Sequence, residues 1–227
     1  IIVGGYLINA FYDFEKDMIN QPNKTYFDRL VSKKSCLNIY LFVNIIGVVA
    51  SFLINKEILI FSILLIFALW IYSHKLRKKA LLSEISASLL MISFFVGLSV
   101  LNRRIDKTLI LFVTYIFTID LTREIIKKMT SIKGDLIVGE ISIPIFFGIR
   151  KSKFIIFFLM LCSQFAILLL LPAIISQLFS YYFILAFIII LFSIYLLHNA
   201  KISKQFQLIN NIYKVLIGLA ILSIVLY

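Results

Sequence analysis

The chain has 227 residues with 23 Lys and Arg against 11 Asp and Glu, a formal net charge of +12, yet 62% of it is hydrophobic and only 15% charged. With a mean hydropathy of +1.04 it holds too few polar side chains to cover a water-soluble globule, so a soluble enzyme is excluded and a polytopic membrane protein remains. The basic excess needs no nucleic-acid partner, because its distribution along the chain accounts for it.

The chain opens on Ile1-Ile-Val-Gly-Gly, with neither Met nor a basic segment ahead of the apolar run, and no targeting sequence is read. That run is too short before Asp13 to span a bilayer, which takes about 20 residues. Residues 1–14 therefore read as the end of a helix whose beginning is missing. Through Asn9-Ala-Phe-Tyr-Asp13-Phe-Glu-Lys-Asp17 a continued helix would set Asn9, Asp13 and Asp17 on one ladder, since each step of four residues turns only about 40° and climbs about 6 Å. Three such oxygen donors suit a hard cation. Mg2+ takes oxygen ligands and commonly bridges carboxylates to phosphates, so a ladder beside an apolar bundle points to a phosphorylated, lipid-like substrate. The plain alternative is that these polar residues face water at a membrane-helix end.

Lys24, Arg29, Lys33 and Lys34 follow in a connection broken by Pro22, and then an apolar run from Leu37 to Ile54. Asn55-Lys56-Glu57 makes a tight turn into a run from Ile58 to Tyr72, which ends in Ser73-His-Lys-Leu-Arg-Lys-Lys79. A run from Ile85 to Leu101 leads to the turn Asn102 to Lys107, and the next descends from Thr108 through Asp120 into the charged stretch Arg123 to Asp135. Phe154 to Ile175, Tyr181 to Leu197 and Ile212 to Leu226 complete the series, with Pro144 and Pro172 marking a helix start and a helix end. The expectation is an all-α, polytopic transmembrane bundle of eight helices, the first incomplete, forming one membrane domain over residues 1–227.

Threading these helices alternately through a bilayer puts 19 of the 23 basic residues on one side, leaving Lys56, Arg103, Arg104 and Lys107 on the other. Cytoplasmic loops carry the excess of Lys and Arg, so the acidic clusters Asn9 to Asp17 and Asp120 to Asp135 both open toward the cytoplasm, with the basic Tyr72 to Lys79 loop between them in sequence. Carboxylates for a metal, with Lys and Arg for phosphate oxygens, above a core of Phe, Leu and Ile suit a lipid diphosphate held by its head. Orientation alone would explain most of the basic loops. Other chemistry is thin: Cys36 and Cys162 lie far apart, and His74 and His198 lack metal-ligand spacing. An ion-coupled transporter would need polar groups at mid-membrane depth, for which Asn44, Ser51 and Gln164 are the few candidates.

The order Asn9-x-x-x-Asp13-x-x-x-Asp17, Ile19-Asn-Gln-Pro-Asn-Lys24, Tyr72-Ser-His-Lys-Leu76, Arg123-Glu-Ile-Ile-Lys127 with Gly134-Asp135, then Ser142-Ile-Pro144 and Gly148 resembles the UbiA superfamily of intramembrane prenyltransferases. The Arg-Glu-Ile-Ile-Lys form is most similar to the archaeal-type branch that transfers geranylgeranyl groups to a glycerol-phosphate lipid, and to its bacterial relatives. The resemblance implies a nine-helix family fold whose first helix and start of the second precede this sequence. It also implies an integral protein of a bacterial or archaeal cell membrane, with a cytoplasmic active-site mouth. The implied reaction is Mg2+-assisted transfer of a prenyl group from an allylic prenyl diphosphate to a lipid or aromatic acceptor in the bilayer.

By position, the resemblance assigns Asn9, Asp13 and Asp17, with Asp135, to the metal, and Asn9, Asp13, Asp17, Glu124 and Asp135 to catalysis. Lys24, Tyr72, Lys75, Arg77, Arg123, Lys127 and Lys128 would serve the diphosphate. Ala10 replaces an Asp that many members carry, Ile141 occupies a position often basic, Lys128 stands where this branch usually has Asp, and Ser131 stands where another acid is expected. On a continuous helix Glu124, Lys128, Ser131 and Asp135 would share one face, and a cation there would weaken a second metal. A weakly active or non-catalytic relative is thus the alternative reading. The topology is directly testable: a Cys placed at Arg104 is expected to react with an impermeant thiol reagent added to intact cells, while one at Ser131 stays protected. The reverse pattern overturns the orientation.

Overall fold

The structure, a computed structural model, describes residues 1–20, 33–102 and 106–223, and for 13–20 and 33 it describes the backbone. Among the described residues there are nine α-helices, one more than the apolar runs suggest: α1 (Ile2–Asn20), α2 (Lys33–Ile54), α3 (Lys56–His74), α4 (Leu82–Asn102), α5 (Lys107–Thr130), α6 (Ile132–Ile137), α7 (Ile143–Ile174), α8 (Phe179–Asn199) and α9 (Ser203–Ser223). The addition is the short α6, with a single 3-10 turn, Leu76–Lys78, between α3 and α4. Among the described residues six helices, α2, α3, α4, α7, α8 and α9, are long and apolar enough to cross a membrane. The charges in its C-terminal half keep α5 out of that set.

Two compact units emerge. The first comprises Ile1–Arg104 with Lys133–Ser142, and the second Ile105–Ile132 with Ile143–Tyr227. In the first, α1 packs on α2 and α3, and α2, α3 and α4 follow one another as antiparallel neighbours. Asn55 makes the tightest of these turns: its side-chain oxygen accepts from Ile58 N at 2.7 Å, capping α3 immediately after α2 ends. Gly4 lets α1 lie close on α2, since a Cβ there would meet Asn44 Oδ1 at 2.6 Å. The outer faces are apolar, as hydrocarbon requires: on α2 Leu41, Phe42, Ile45, Val49 and Phe52 are all exposed. Polar contacts lie inward, with Ser51 bonded to Ser62 at 2.7 Å.

In the second unit α5 is the buried element. It packs on α7 and α9, and α8 packs on both of those; Tyr115, Ile116, Ile119 and Ile126 are fully buried along it. Phe112, Tyr115, Phe179, Tyr182 and Phe183 interlock by edge-to-face contacts and, between Phe112 and Phe179, one tilted contact, at centroid separations of 4.9 to 6.3 Å. The Tyr115 and Tyr182 hydroxyls meet at 2.7 Å, and Tyr182 donates onward to Leu216 O at 3.0 Å. Gln164 Nε2 donates to Phe187 O at 3.0 Å and so ties α7 to α8. Of the mid-depth polar groups weighed for transport, Ser51 and Gln164 therefore make helix-to-helix bonds.

Two helix starts differ from the apolar runs. α9 begins at Ser203, well before Ile212, because Phe206, Ile209, Tyr213 and Leu216 are its buried stripe and the intervening Gln205, Gln207 and Asn211 hide it from a search for continuous hydrophobicity. α7 begins at Ile143 with Pro144 in its first turn, then breaks at Gly148, whose φ of 79° and ψ of 163° only glycine adopts readily. Pro172 lies in the last turn of α7, close to the end it was expected to mark. A Tyr182→Phe variant should lower stability by about 1–3 kcal/mol, the cost of leaving Tyr115 and Leu216 O under-satisfied in the core. Thermal unfolding in detergent measures it, and an unchanged midpoint would remove this bond pair from the fold's supports.

Candidate functional site

In the first unit, α1 is helical without interruption from Ile2 to Asn20, so positions 9, 13 and 17 recur on one stripe. The Asp13 and Asp17 side chains, and Lys24, lie outside the described residues. Asn9 is fixed by a partner that the motif did not reveal: Ser73 Oγ, fully buried at the end of α3, donates to Asn9 Oδ1 at 2.7 Å. One residue on, His74 Nδ1 meets Tyr12 OH at 3.1 Å, and its ring stacks on Trp70 at 5.4 Å with planes 7° apart. The serine and histidine of Tyr72-Ser-His thus bolt α3 to the acidic stripe. Tyr72 is half-buried and Lys75 exposed beside them.

Arg77, assigned by resemblance to the diphosphate, is buried, and its guanidinium is engaged by Glu140: Nε donates to Oε1 at 2.8 Å. A second link runs in parallel, from Ile141 N to Lys78 O at 3.2 Å. Together they clip the basic loop after α3 to the segment that follows α6. Asp135, fully buried on α6, belongs to the same segment, and its carbonyl accepts from Glu140 N at 2.8 Å. Glu140 escaped the sequence reading because a lone acid in a loop reads as solvated. The available signal was its setting: Glu140 is the one charge in the otherwise apolar stretch 136–149, and a charge in such a stretch asks for a counter-charge.

In the second unit the acidic residues of α5 are compensated by the chain itself. Arg123 Nε donates to Asp120 Oδ1 at 3.1 Å, Arg123 Nη2 donates to Glu124 Oε1, and Lys127 Nζ lies 3.5 Å from Glu124 Oε2. Asp120, Glu124 and Lys128 are buried. The shared helix face expected for Glu124, Lys128, Ser131 and Asp135 does not form. α5 ends at Thr130, Ser131 caps it with φ −111° and ψ 11°, and Asp135 sits on the separate α6. Those residues divide between the two units.

The α1 stripe has the donor chemistry that Mg2+ takes. Its members are hard oxygens, and an amide oxygen such as Asn9 Oδ1 carries two lone pairs, one of which remains after the bond from Ser73. The carboxylates of α5 fit less well, since cations of the chain already hold their oxygens. Among the described residues no three His, Cys, Asp or Glu side chains gather around one point.

The family model of the UbiA prenyltransferase family matches residues 1–215. The chain belongs to the UbiA prenyltransferase family. Like other UbiA proteins it is an integral, multi-pass membrane protein, and the all-helical fold is that of the family. Digeranylgeranylglyceryl phosphate synthase of Sulfurisphaera tokodaii is 35% identical over 160 residues, which cover 68% of this chain and 56% of that protein. The synthase of the same name from Methanosphaera stadtmanae is 28% identical over 216 residues, covering 93% of this chain and 75% of that one. The chain thus spans a little over half the length of the first relative. Among solved structures, a UbiA homologue from Archaeoglobus fulgidus bound to GPP and Mg2+ superposes with a TM-score of 0.69 at 14% identity, over 97% of this chain and 82% of that one. A digeranylgeranylglyceryl phosphate synthase structure gives a TM-score of 0.71 at 22% identity, over 97% and 78% of the two chains.

Removing one partner of a buried ion pair leaves a charge uncompensated, at a cost of about 3–5 kcal/mol. Glu140→Leu alone should therefore destabilise this UbiA protein by that amount, whereas the double variant Arg77→Met, Glu140→Leu should recover most of the loss. Thermal unfolding of both in detergent tests the clip, and equal losses in the single and double variants would refute it.

Proposed function

We propose that the protein transfers a prenyl group from an allylic prenyl diphosphate to a lipid acceptor within the membrane. The observation that carries this reading is the unbroken α1 with Asn9, Asp13 and Asp17 in register, in a chain that matches the UbiA family over residues 1–215. A donor of the prenyl diphosphate class is supported by the Archaeoglobus fulgidus homologue, which is bound to GPP and Mg2+. An acceptor bearing a glyceryl phosphate head is supported by the name shared by the relatives.

In this reading Asn9, Asp13 and Asp17 would hold Mg2+, with Asp135 as a further ligand. When bound, the cation supplies positive charge to the departing diphosphate oxygens. The chain's own part is positioning: Ser73 fixes the Asn9 amide, and Lys24, Tyr72 and Lys75 meet phosphate oxygens, the lysines as point charges. The donor's allylic carbon–oxygen bond breaks, and a nucleophilic oxygen of the acceptor bonds to that carbon. The acceptor proton leaves to solvent with pyrophosphate on the Lys- and Arg-rich side, which is the cytoplasmic side in this reading. Arg77, tied to Glu140, serves the loop's placement and only through it the phosphate.

A slower variant of the same reaction is favoured by one observation: Arg123 and Lys127 hold the α5 carboxylates that a second cation would need. Pyrophosphate release and prenyl-diphosphate binding by titration calorimetry separate the possibilities. Binding is expected to vanish with EDTA and in Asp13→Asn, and turnover to rise in Lys128→Asp. Binding unchanged by EDTA and by Asp13→Asn would overturn the metal reading, and a Lys128→Asp variant no faster than wild type would make Lys128 a working part of the site.

A further inference from the structure

The second unit carries a groove whose lining holds none of the residues assigned to the transfer reaction. It lies between α8 and α9, has a volume of about 640 Å³, and is lined on α9 by Lys204, Gln207, Leu208, Asn211, Ile212, Val215 and Leu216 and on α8 by Ile189 and Phe192. Lys204, Gln207 and Asn211 occupy the first three turns of α9, on the Lys-rich side of the chain, and the rest of the lining is aliphatic and aromatic. The groove thus has a cationic, amide-bearing head near the start of α9 and an apolar floor.

We infer that this groove is a binding site for an anionic phospholipid, its phosphate at Lys204 and one acyl chain along Leu208, Ile212 and Val215. Charge complementarity selects the occupant. The lysine supplies an ammonium to the phosphate, and the Gln207 and Asn211 amides supply donors to head-group and ester oxygens, whereas a purely apolar chain would gain nothing from any of the three. Lys204 is exposed, as are Gln207 and Asn211, so the head is reachable from the membrane surface. The backbone N–H groups ahead of α9 add nothing to the site: Lys201 N and Ile202 N are capped by Gln205 Oε1 at 2.6 and 3.1 Å.

The test is native mass spectrometry of the protein released from micelles containing equal amounts of dioleoyl phosphatidylglycerol and dioleoyl phosphatidylcholine, which share their chains and differ in head charge. Phosphatidylglycerol adducts should dominate by about fivefold, the effect of one lysine near an anionic head group. Lys204→Gln should bring the ratio toward one. Lys214→Gln, which removes an exposed lysine of α9 that does not line the groove, should leave it unchanged. Leu208→Trp should reduce retention of both lipids by filling the floor. Equal retention of the two lipids by the wild type, an equal effect of the two lysine variants, or a lipid-free dimer that Leu208→Trp dissociates would overturn the proposal, the last by making the groove a contact between copies.

Discussion

Hydrocarbon offers no hydrogen bonds, and nearly every feature of this structure follows from that deficit. Each backbone N–H and C=O must be satisfied within its own segment, which leaves the helix as the element that an open chain can use. Side-chain hydroxyls follow the same rule by turning back on the preceding turn: Ser51 donates to Gly47 O, Thr122 to Thr118 O, Ser152 to Gly148 O and Ser193 to Ile189 O. Most charge lies toward helix ends, and the buried Arg77 is matched by Glu140. In the proposed reaction the metal-binding stripe and its basic partners sit where the deficit ends, toward the mouths of the helices.

That constraint explains what could be read from residues alone. The outward faces of α2, α3, α4 and α8 are apolar almost without relief, so run lengths locate them to within a few residues. The stripe Asn9, Asp13, Asp17 was legible because i, i+4 spacing needs only a helix that continues, and α1 does. α9 was partly concealed, since its polar residues interrupt the run while its buried stripe persists beneath them.

Less was legible where tertiary contacts decide. Nothing in Thr130-Ser131-Ile132 announces a helix end; there is neither Gly nor Pro, and the break between α5 and α6 therefore separates residues that periodicity had placed together. Ser73 and Glu140 carry no motif signal of their own. Each matters through one partner far away in sequence, 64 residues for Ser73 and Asn9, 63 for Arg77 and Glu140. Local pattern is blind to such pairs, whereas a count of unmatched charges in buried connections would have raised the second.

The span between Arg77 and Glu140 also sets an order of events during biosynthesis. The guanidinium is made 63 residues before its carboxylate, and at about 5–20 residues per second it waits roughly 3 to 13 s for its counter-charge. Until then Arg77 is better hydrated than buried, which holds the loop after α3 at the membrane surface while α4 and α5 emerge. The loop is drawn in only when the segment after α6 has been translated, so closure of the first unit reports on the arrival of a piece of chain that lies beyond all of α5.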